Sequence, residues 1–397
     1  MNPSANGWID KFGSLIKKHE DTYVSFGELY DALKEIGFVY GISSDLPPFI
    51  IPEHKPSEDE MAKINLLTAL YFTFKIETSQ TDFDLYLKTM FEFYEALEVN
   101  KVSFLGKLFS GNKTSSKLEK ILESRVYIED NIISKTFNGL ITNSLLFMDV
   151  LLFRKYLTNS EEILKQAKKL EYLALNISYN ALKSKKRNKT DKKLAQLLDS
   201  SLTYINSDDQ KYDDSYRAQL LSNKDVWENM YLLDFACLTV WEDHSLEHTE
   251  SEFIYTLGKD LNFDYNVIDK SLFDVTRFIN VNKETIPFLQ EHNMAFQFYD
   301  NMSKLVNRLI LRNSKRLQKE LSESAELVSL LSKSTVRELS KEEKKKVQSQ
   351  LLDIFKSIPS LAIFLLPGGA ILLPIFIKLI PTLLPSSFDE NRVEKDK

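Results

Sequence analysis

The apolar stretch near the C-terminus constrains the fold more than any other feature of the sequence. No residue from Ile358 to Ile377 carries a charge. An uncharged run of about 20 residues is long enough for a helix to cross a hydrocarbon core of roughly 30 Å. Prolines and a glycine pair interrupt the region, at Pro359, Pro367, Gly368, Gly369, Pro374, Pro381 and Pro385. A straight membrane-spanning helix is not expected, because proline removes helical hydrogen bonds and glycine weakens a helix.

Three structures are compatible with this stretch. A kinked helix spans a membrane where neighbouring groups satisfy the freed carbonyls. A hairpin turning at Pro367-Gly368-Gly369 dips into one leaflet or packs on a partner. A buried hairpin in a soluble core is the third structure, because each half is only as long as a core helix. In either membrane arrangement, Lys378 would extend towards the lipid headgroups.

The same residues carry a family resemblance. The apolar run is followed by a pattern of prolines, leucines and one lysine: Leu372-Leu373-Pro374, Lys378, Leu379-Ile380-Pro381 and Leu384-Pro385-Ser386-Ser387-Phe388. It resembles the membrane segment of the leucine-zipper, EF-hand-containing transmembrane (LETM) proteins of the mitochondrial inner membrane. The resemblance extends upstream to Asp353, Phe355 and Pro359.

The LETM resemblance implies cation/proton exchange, and ribosome binding through a helical domain that follows the membrane segment. We expect that following domain to be missing, since the sequence stops at Lys397, and no EF-hand loop is found. With a long N-terminal region and the motif at its end, the chain resembles the bacterial LETM-related, biofilm-associated proteins.

The rest of the chain predicts an all-α protein. Apart from a proline cluster between Pro47 and Pro56, it is nearly free of helix breakers and rich in Leu, Lys, Glu and Phe. We divide the chain into five parts: N-terminal short helices with a Pro-rich connector (1–57), a helical body (58–295), amphipathic basic helices (296–357), the hydrophobic segment (358–388) and a polar tail (389–397). A long amphipathic helix is predicted from Phe296 to Leu331, and a capping box at Ser340 begins the next helix.

The body contains a weak internal repeat of helix-loop-helix units. Each unit has an apolar helix, beginning near Leu66, Leu145 or Leu232, and then an acidic loop and a second helix capped by Ser or Thr. The third unit, at about 230–261, resembles the TerB-like helical domain of tellurite resistance through Asp243, His244 and Glu250. His244 stands where that pattern usually has glycine.

Metal binding and catalysis have little support in the sequence. Asp243, His244 and Glu250 belong to a dense group of possible metal ligands, but a solvated acidic loop and helix start explains them better than weak divalent-cation binding does. The chain lacks the serine-hydrolase elbow, phosphate-loop and dinucleotide-binding motifs. Its one cysteine, Cys237, excludes an internal disulfide and is predicted to be a buried, inert thiol. We therefore expect a non-enzymatic protein without a cofactor.

Basic residues suggest where partners would bind. A loop, a helix face and the helix before the apolar stretch carry the candidate contact residues: Lys185, Lys186, Arg187, Arg308, Arg312, Lys315, Arg316, Lys344 and Lys345. They would contact a ribosome, RNA or anionic headgroups, or else serve only as solubilising groups. Lysines before the apolar stretch favour a cytoplasmic body under the positive-inside rule. No secretory signal or transit peptide is recognisable at the start.

Two functions follow. The first is a membrane-associated LETM-like protein of the bacterial inner membrane, with most of the chain cytoplasmic, lipid as a partner, and a link to ribosomes or cation homeostasis through the resemblance. The alternative is a soluble helical scaffold whose apolar C-terminal hairpin packs on its own core or on a partner. No specific DNA binding is expected in either case.

Overall fold

The fold is all-helical, as the sequence predicts. A computed structural model describes residues 1–52, 54–97, 113–126, 146–184, 215–241, 248–284, 303, 306–335, 337, 339–358, 361, 364 and 372–385. These residues form helices and no strand.

The described residues contain 15 α-helices. In order they are α1 (Trp8–Ile16), α2 (Phe26–Glu35), α3 (Glu58–Thr78), α4 (Phe83–Ala96), α5 (Thr114–Val126), α6 (Leu146–Thr158), α7 (Ile163–Ser184), α8 (Ser215–Ser222), α9 (Val226–Val240), α10 (His248–Asp260), α11 (Tyr265–Asn282), α12 (Ser314–Ser322), α13 (Ala325–Ser334), α14 (Lys341–Ser357) and α15 (Leu373–Leu383). Short 3-10 turns at Glu20–Thr22 and Phe38–Tyr40 lie on either side of α2.

The three apolar helices of the predicted repeat are the central helices α3, α6 and α9. Every residue from Ala62 to Phe74 of α3 and from Leu146 to Phe153 of α6 is buried. Helix α3 packs on α6, while α9 packs on α7 and α11. An amphipathic helix covers a core with one face, whereas a helix that is apolar all round lies inside it. The repeated helical body is therefore confirmed.

One detail of the predicted repeat is wrong. We predicted that Ser or Thr caps the second helix of each unit, but the N-cap of α4 is Asp82. Its carboxylate accepts hydrogen bonds from the backbone N–H groups of Asp84 and Leu85, at 2.9 and 3.1 Å. A carboxylate at this position also interacts favourably with the positive end of the helix dipole.

The N-terminal helices share the hydrophobic core of the body. Helix α1 contacts α5, and α2 contacts α3. Trp227 of α9 lies between two aromatic side chains of α2, with ring centroids 5.3 Å from Phe26 and 5.4 Å from Tyr30. Aromatic pairs at this separation add to the stabilisation that burial provides.

A buried ion pair joins α4, α5 and α6. The Arg125 guanidinium donates two hydrogen bonds to the Asp149 carboxylate, with N–O distances of 2.7 and 2.6 Å, and both side chains are buried. The Tyr94 hydroxyl donates to the same carboxylate at 3.1 Å. Burial alone would lower the pKa of Arg125, but the charge and hydrogen bonds of Asp149 outweigh it and raise the pKa.

A second buried ion pair joins α2, α9 and α11. The Lys34 ammonium lies 3.1 Å from Asp234 and 2.9 Å from Asp274. The Tyr30 hydroxyl donates to Asp234 at 2.7 Å. Burial lowers the pKa of Lys34, and the two carboxylates more than offset that effect. Two of the three central helices thus each carry a buried aspartate that is matched by a cation and a tyrosine.

Candidate functional site

The predicted membrane segment is packed into the C-terminal helices. Phe364 stacks on Phe355 of α14 with ring centroids 4.4 Å apart, and Phe376 of α15 contacts both rings edge-on at 5.0 and 5.1 Å. We call these three residues the aromatic trio. The apolar side chains around it are also buried: Ile358, Leu361, Leu372 and Ile380. The described part of this segment is therefore a hydrophobic core.

Two prolines lie within α15 itself. Pro374 occupies the first turn, where the missing N–H has no helical partner to lose. Pro381 lies inside the helix, yet the next turn still forms, since the Leu384 N–H donates to the Ile380 carbonyl at 3.0 Å. Lys378 and Pro385 are exposed at this end of the chain. The proposed hairpin turn and flanking positions, Pro359, Pro367, Gly368, Gly369 and Phe388, lie outside the described residues.

Among its described residues, the structure shows no helix that matches the predicted membrane span. Helix α15 has 11 residues, whereas about 20 are needed to cross a bilayer. Within the described ranges, no helix combines the length and hydrophobicity that crossing a membrane requires.

The helix before the segment begins as the sequence predicts. The Ser340 hydroxyl accepts from the Glu343 N–H at 3.2 Å, and the Ser340 N–H donates to the Glu343 carboxylate at 2.8 Å. Arg337 donates two further hydrogen bonds to that carboxylate, at 2.6 and 2.8 Å. These hydrogen bonds, that of Arg337 first, lower the pKa of Glu343 to about 2.

Polar contacts hold α14 against α13. Glu326 accepts from Lys346 at 2.7 Å and from Gln350 at 3.0 Å. Gln350 in turn accepts from the Ser324 hydroxyl at 2.8 Å. Ser324 is also the N-cap of α13, so the predicted helix from Phe296 to Leu331 is not continuous. It ends at α12, and α13 starts as a separate element.

The predicted basic residues fall into groups on different elements. Lys344, half-buried, and Lys345, exposed, lie in α14. The remaining described members lie on α12 and the helical residues just before it: Arg308, Arg312, Lys315 and Arg316. The predicted basic loop with Lys185, Lys186 and Arg187 lies outside the described residues.

The candidate metal ligands are not brought together in the described structure. Asp243 and His244 lie outside it, and of Glu250 only the helical backbone in α10 is described. Across the described ranges, no group of three or more His, Cys, Asp or Glu side chains is arranged to hold a metal ion. Cys237 is buried and free, as predicted, and burial raises the pKa of its thiol.

Sequence reasoning missed the two buried ion pairs. The available signal was an aspartate inside an otherwise apolar run, at Asp149 and Asp234. A buried carboxylate needs a partner, so each of these residues predicts a cation elsewhere in the chain. Nothing in the sequence identifies Arg125 or Lys34 as that cation.

Comparison with known proteins confirms the LETM resemblance in the C-terminal part of the chain. Residues 339–397 match the family model described as "LETM1-like, RBD". The yeast protein "LETM1 domain-containing protein YLH47, mitochondrial", from Saccharomyces cerevisiae, is 28% identical over 115 residues. That alignment covers 29% of this chain and 22% of the yeast protein, so the chain spans only about a fifth of its curated relative. No solved structure matches the chain.

The family match changes the interpretation of the C-terminal residues. We expected the ribosome-binding domain of the family to be missing, whereas the model described as "LETM1-like, RBD" matches a range that includes residues 358–388, which we assigned to a membrane segment. The match begins at the Ser340 capping box and includes the aromatic trio. The candidate functional site is thus the folded unit formed by α14, α15 and the helices packed on them.

Proposed function

We propose that this chain is a non-enzymatic, LETM-like helical protein whose C-terminal helices bind the ribosome. The observation that carries the proposal is the overlap between the family match at 339–397 and the folded unit around the aromatic trio. A ribosome-binding unit needs a fixed surface, and burial of the apolar side chains against α14 supplies one. The exposed side chains of that unit are then available to a partner.

Charge favours α14 as the contact element of this unit. Lys344 and Lys345 follow the capping box, and Lys378 is exposed on α15. Ribosomal RNA is a polyanion, and lysines near a surface raise the association rate and affinity for such a partner in a salt-dependent way.

Cosedimentation with purified bacterial ribosomes tests this proposal. We expect the full chain to pellet with ribosomes at low salt, and the double variant Lys344→Gln/Lys345→Gln to bind several-fold more weakly. The variant Lys17→Gln/Lys18→Gln is a matched control, because it removes the same charge from exposed residues after α1. The proposal is wrong if the unmodified chain stays in the supernatant at low salt.

Membrane attachment at the bacterial inner membrane, with most of the chain cytoplasmic, is a second proposal. It is supported by the uncharged run from Ile358 to Ile377 and by the lysines before it. Insertion would require Phe364 and Phe376 to separate from Phe355, which exposes buried apolar surface unless lipid replaces it. The link to cation homeostasis rests on the resemblance alone.

Carbonate extraction of membranes distinguishes this attachment from the soluble scaffold. The full chain is compared with a chain that ends at Ser357. If the full chain resists carbonate extraction and the shortened chain does not, the C-terminal segment is integral to the membrane. Recovery of both chains in the soluble fraction contradicts attachment and favours the scaffold, which the burial of Leu361, Phe364, Leu372 and Phe376 supports.

A further inference from the structure

A strongly basic surface lies outside the region that matches the family model. Residues 306–319 contain five basic residues and no acidic residue, in a chain whose formal net charge is −6. We call these residues the basic stripe: Arg308, Arg312, Lys315, Arg316 and Lys319. They precede residue 339, where the family match begins.

The basic stripe occupies one face of a single helical path. The hydrogen-bond pattern continues through Asn313, whose N–H donates to the Leu309 carbonyl at 3.2 Å and whose carbonyl accepts from the Leu317 N–H at 2.8 Å. The opposite face packs into the protein. Its buried residues recur at helical spacing: Val306, Ile310, Asn313, Leu317 and Leu321. The basic residues are therefore directed to the outer face of the helix, where Arg312, Lys315, Arg316 and Lys319 are exposed and Arg308 is half-buried.

The geometry favours a polyanion over a lipid surface. A helix that binds a membrane interface inserts its apolar face, whereas the apolar face here is already packed in the protein. Leu311 is the large apolar side chain that this helix presents to solvent. Arg308 to Lys319 spans about 16 Å along the helix axis, at 1.5 Å per residue. Guanidinium groups bind phosphate with paired hydrogen bonds, so the three arginines suit a phosphodiester backbone.

We propose that the basic stripe is an RNA-binding surface that contacts the phosphate backbone of structured RNA. The identification of the nucleic acid as RNA rests on the proposed ribosome contact, but the stripe is a separate site from α14. Contacts of this kind position a protein on RNA without reading its sequence. Binding should therefore depend on salt and be indifferent to base sequence.

Titration of a short fluorescent RNA duplex with the full chain tests the proposal. The variant is Lys315→Gln/Arg316→Gln/Lys319→Gln. The matched control is Lys17→Gln/Lys18→Gln/Lys168→Gln, which removes three exposed positive charges from other parts of the chain. We expect Kd to rise about tenfold or more in the stripe variant only. The slope of log Kd against log salt concentration should fall by about 2 to 3, because each phosphate contact contributes about 0.9.

The outcomes separate this inference from the proposed ribosome binding. If the stripe variant binds the duplex as tightly as the control does, the inference is wrong, even where the full chain pellets with ribosomes. If the duplex binds through the stripe while the chain fails to pellet with ribosomes, the inference stands and the proposed function does not. Stripe-dependent binding to vesicles containing anionic lipid, without binding to the duplex, would overturn the inference in favour of a membrane surface.

Discussion

At the scale of single residues, two buried aspartates determine how the body is held together. Asp149 and Asp234 each lie inside an apolar helix and accept hydrogen bonds from a cation and a tyrosine on other helices. A buried charge is tolerated only where partners replace the water that it loses. We infer that these contacts favour one arrangement of the helices, in addition to any stability that they add.

Replacement of Asp149 by Ala should destabilise the protein strongly. The change leaves the Arg125 guanidinium buried without its carboxylate, and loss of one partner of a buried pair costs about 3–5 kcal/mol. Chemical denaturation followed by circular dichroism measures the effect. Asp353→Ala is the control, since Asp353 pairs with Lys356 on the surface and the change should cost less than about 1 kcal/mol. Equal effects of the two substitutions would contradict the proposed role of Asp149.

The acid side of the stability curve should depend on Glu343. Its pKa of about 2 lies below the ordinary value of 4.5, so its contribution to stability is present above pH 4.5 and is lost as pH falls towards 2. In Arg337→Gln the pKa should rise towards 4.5, because the largest cause of the shift is removed. An NMR titration of labelled glutamate carboxyl carbons measures the change. A pKa that stays near 2 would show that the Ser340 N–H alone is sufficient.

At the scale of helices, the C-terminal segment shows how far hydropathy alone can be trusted. Its composition fits either a lipid environment or a protein core. In the structure, Phe364 and Phe376 of this segment pack against Phe355 of α14. The described residues therefore form a buried core, which is the third of the structures considered above. Whether apolar side chains meet lipid or protein depends on the tertiary contacts that they make, which composition does not reveal.

Phe376→Ala should loosen α14 and α15 together. Truncation of a buried phenylalanine costs about 3–5 kcal/mol, because transfer energy is lost and a cavity is left. Hydrogen exchange with mass spectrometry should show faster exchange of backbone amides in both helices. Lys378→Ala, an exposed change in the same helix, should stay within about 0.5 kcal/mol of the original stability. Unchanged exchange in α14 after Phe376→Ala would argue against packing of the trio in solution.

At the scale of the whole molecule, contacts between distant parts of the sequence unite the N-terminal helices with the body. Lys34 pairs with Asp234, which is 200 positions away, and Phe26 and Tyr30 pack on Trp227. The body is thus completed by residues that precede it in the chain.

Removal of residues 1–41 should abolish cooperative unfolding of the body. Asp234 would lose its buried cation, and Trp227 would lose two aromatic neighbours. We expect a red shift of tryptophan fluorescence and a broad, early transition in urea. A chain that lacks residues 389–397 instead is the control and should unfold as the full chain does. A sharp transition at the original midpoint in the N-terminal truncation would show that the body folds without α1 and α2.

Local sequence patterns predicted much of the secondary structure, whereas contacts between residues distant in the sequence were not predicted. The repeat identified α3, α6 and α9 as apolar helices, and the capping box at Ser340 was predicted correctly, since both depend on neighbouring residues. The break at Ser324 was missed because the amphipathic pattern continues into α13. In the candidate site, the prolines and the resemblance indicated the correct region, but the aromatic trio needs residues brought together by tertiary packing.

The burial of long stretches of the central helices has an evolutionary consequence. Every residue from 62 to 74 of α3 is buried, so a substitution at any of these positions changes the packing of the core. Accepted substitutions must therefore preserve both the volume and the polarity of the side chain. An amphipathic helix such as α4 can change most of its exposed face while keeping its place in the fold. We expect α3, α6 and α9 to change most slowly among distant descendants of this protein. Ancestry should therefore be traceable in the body through these three helices.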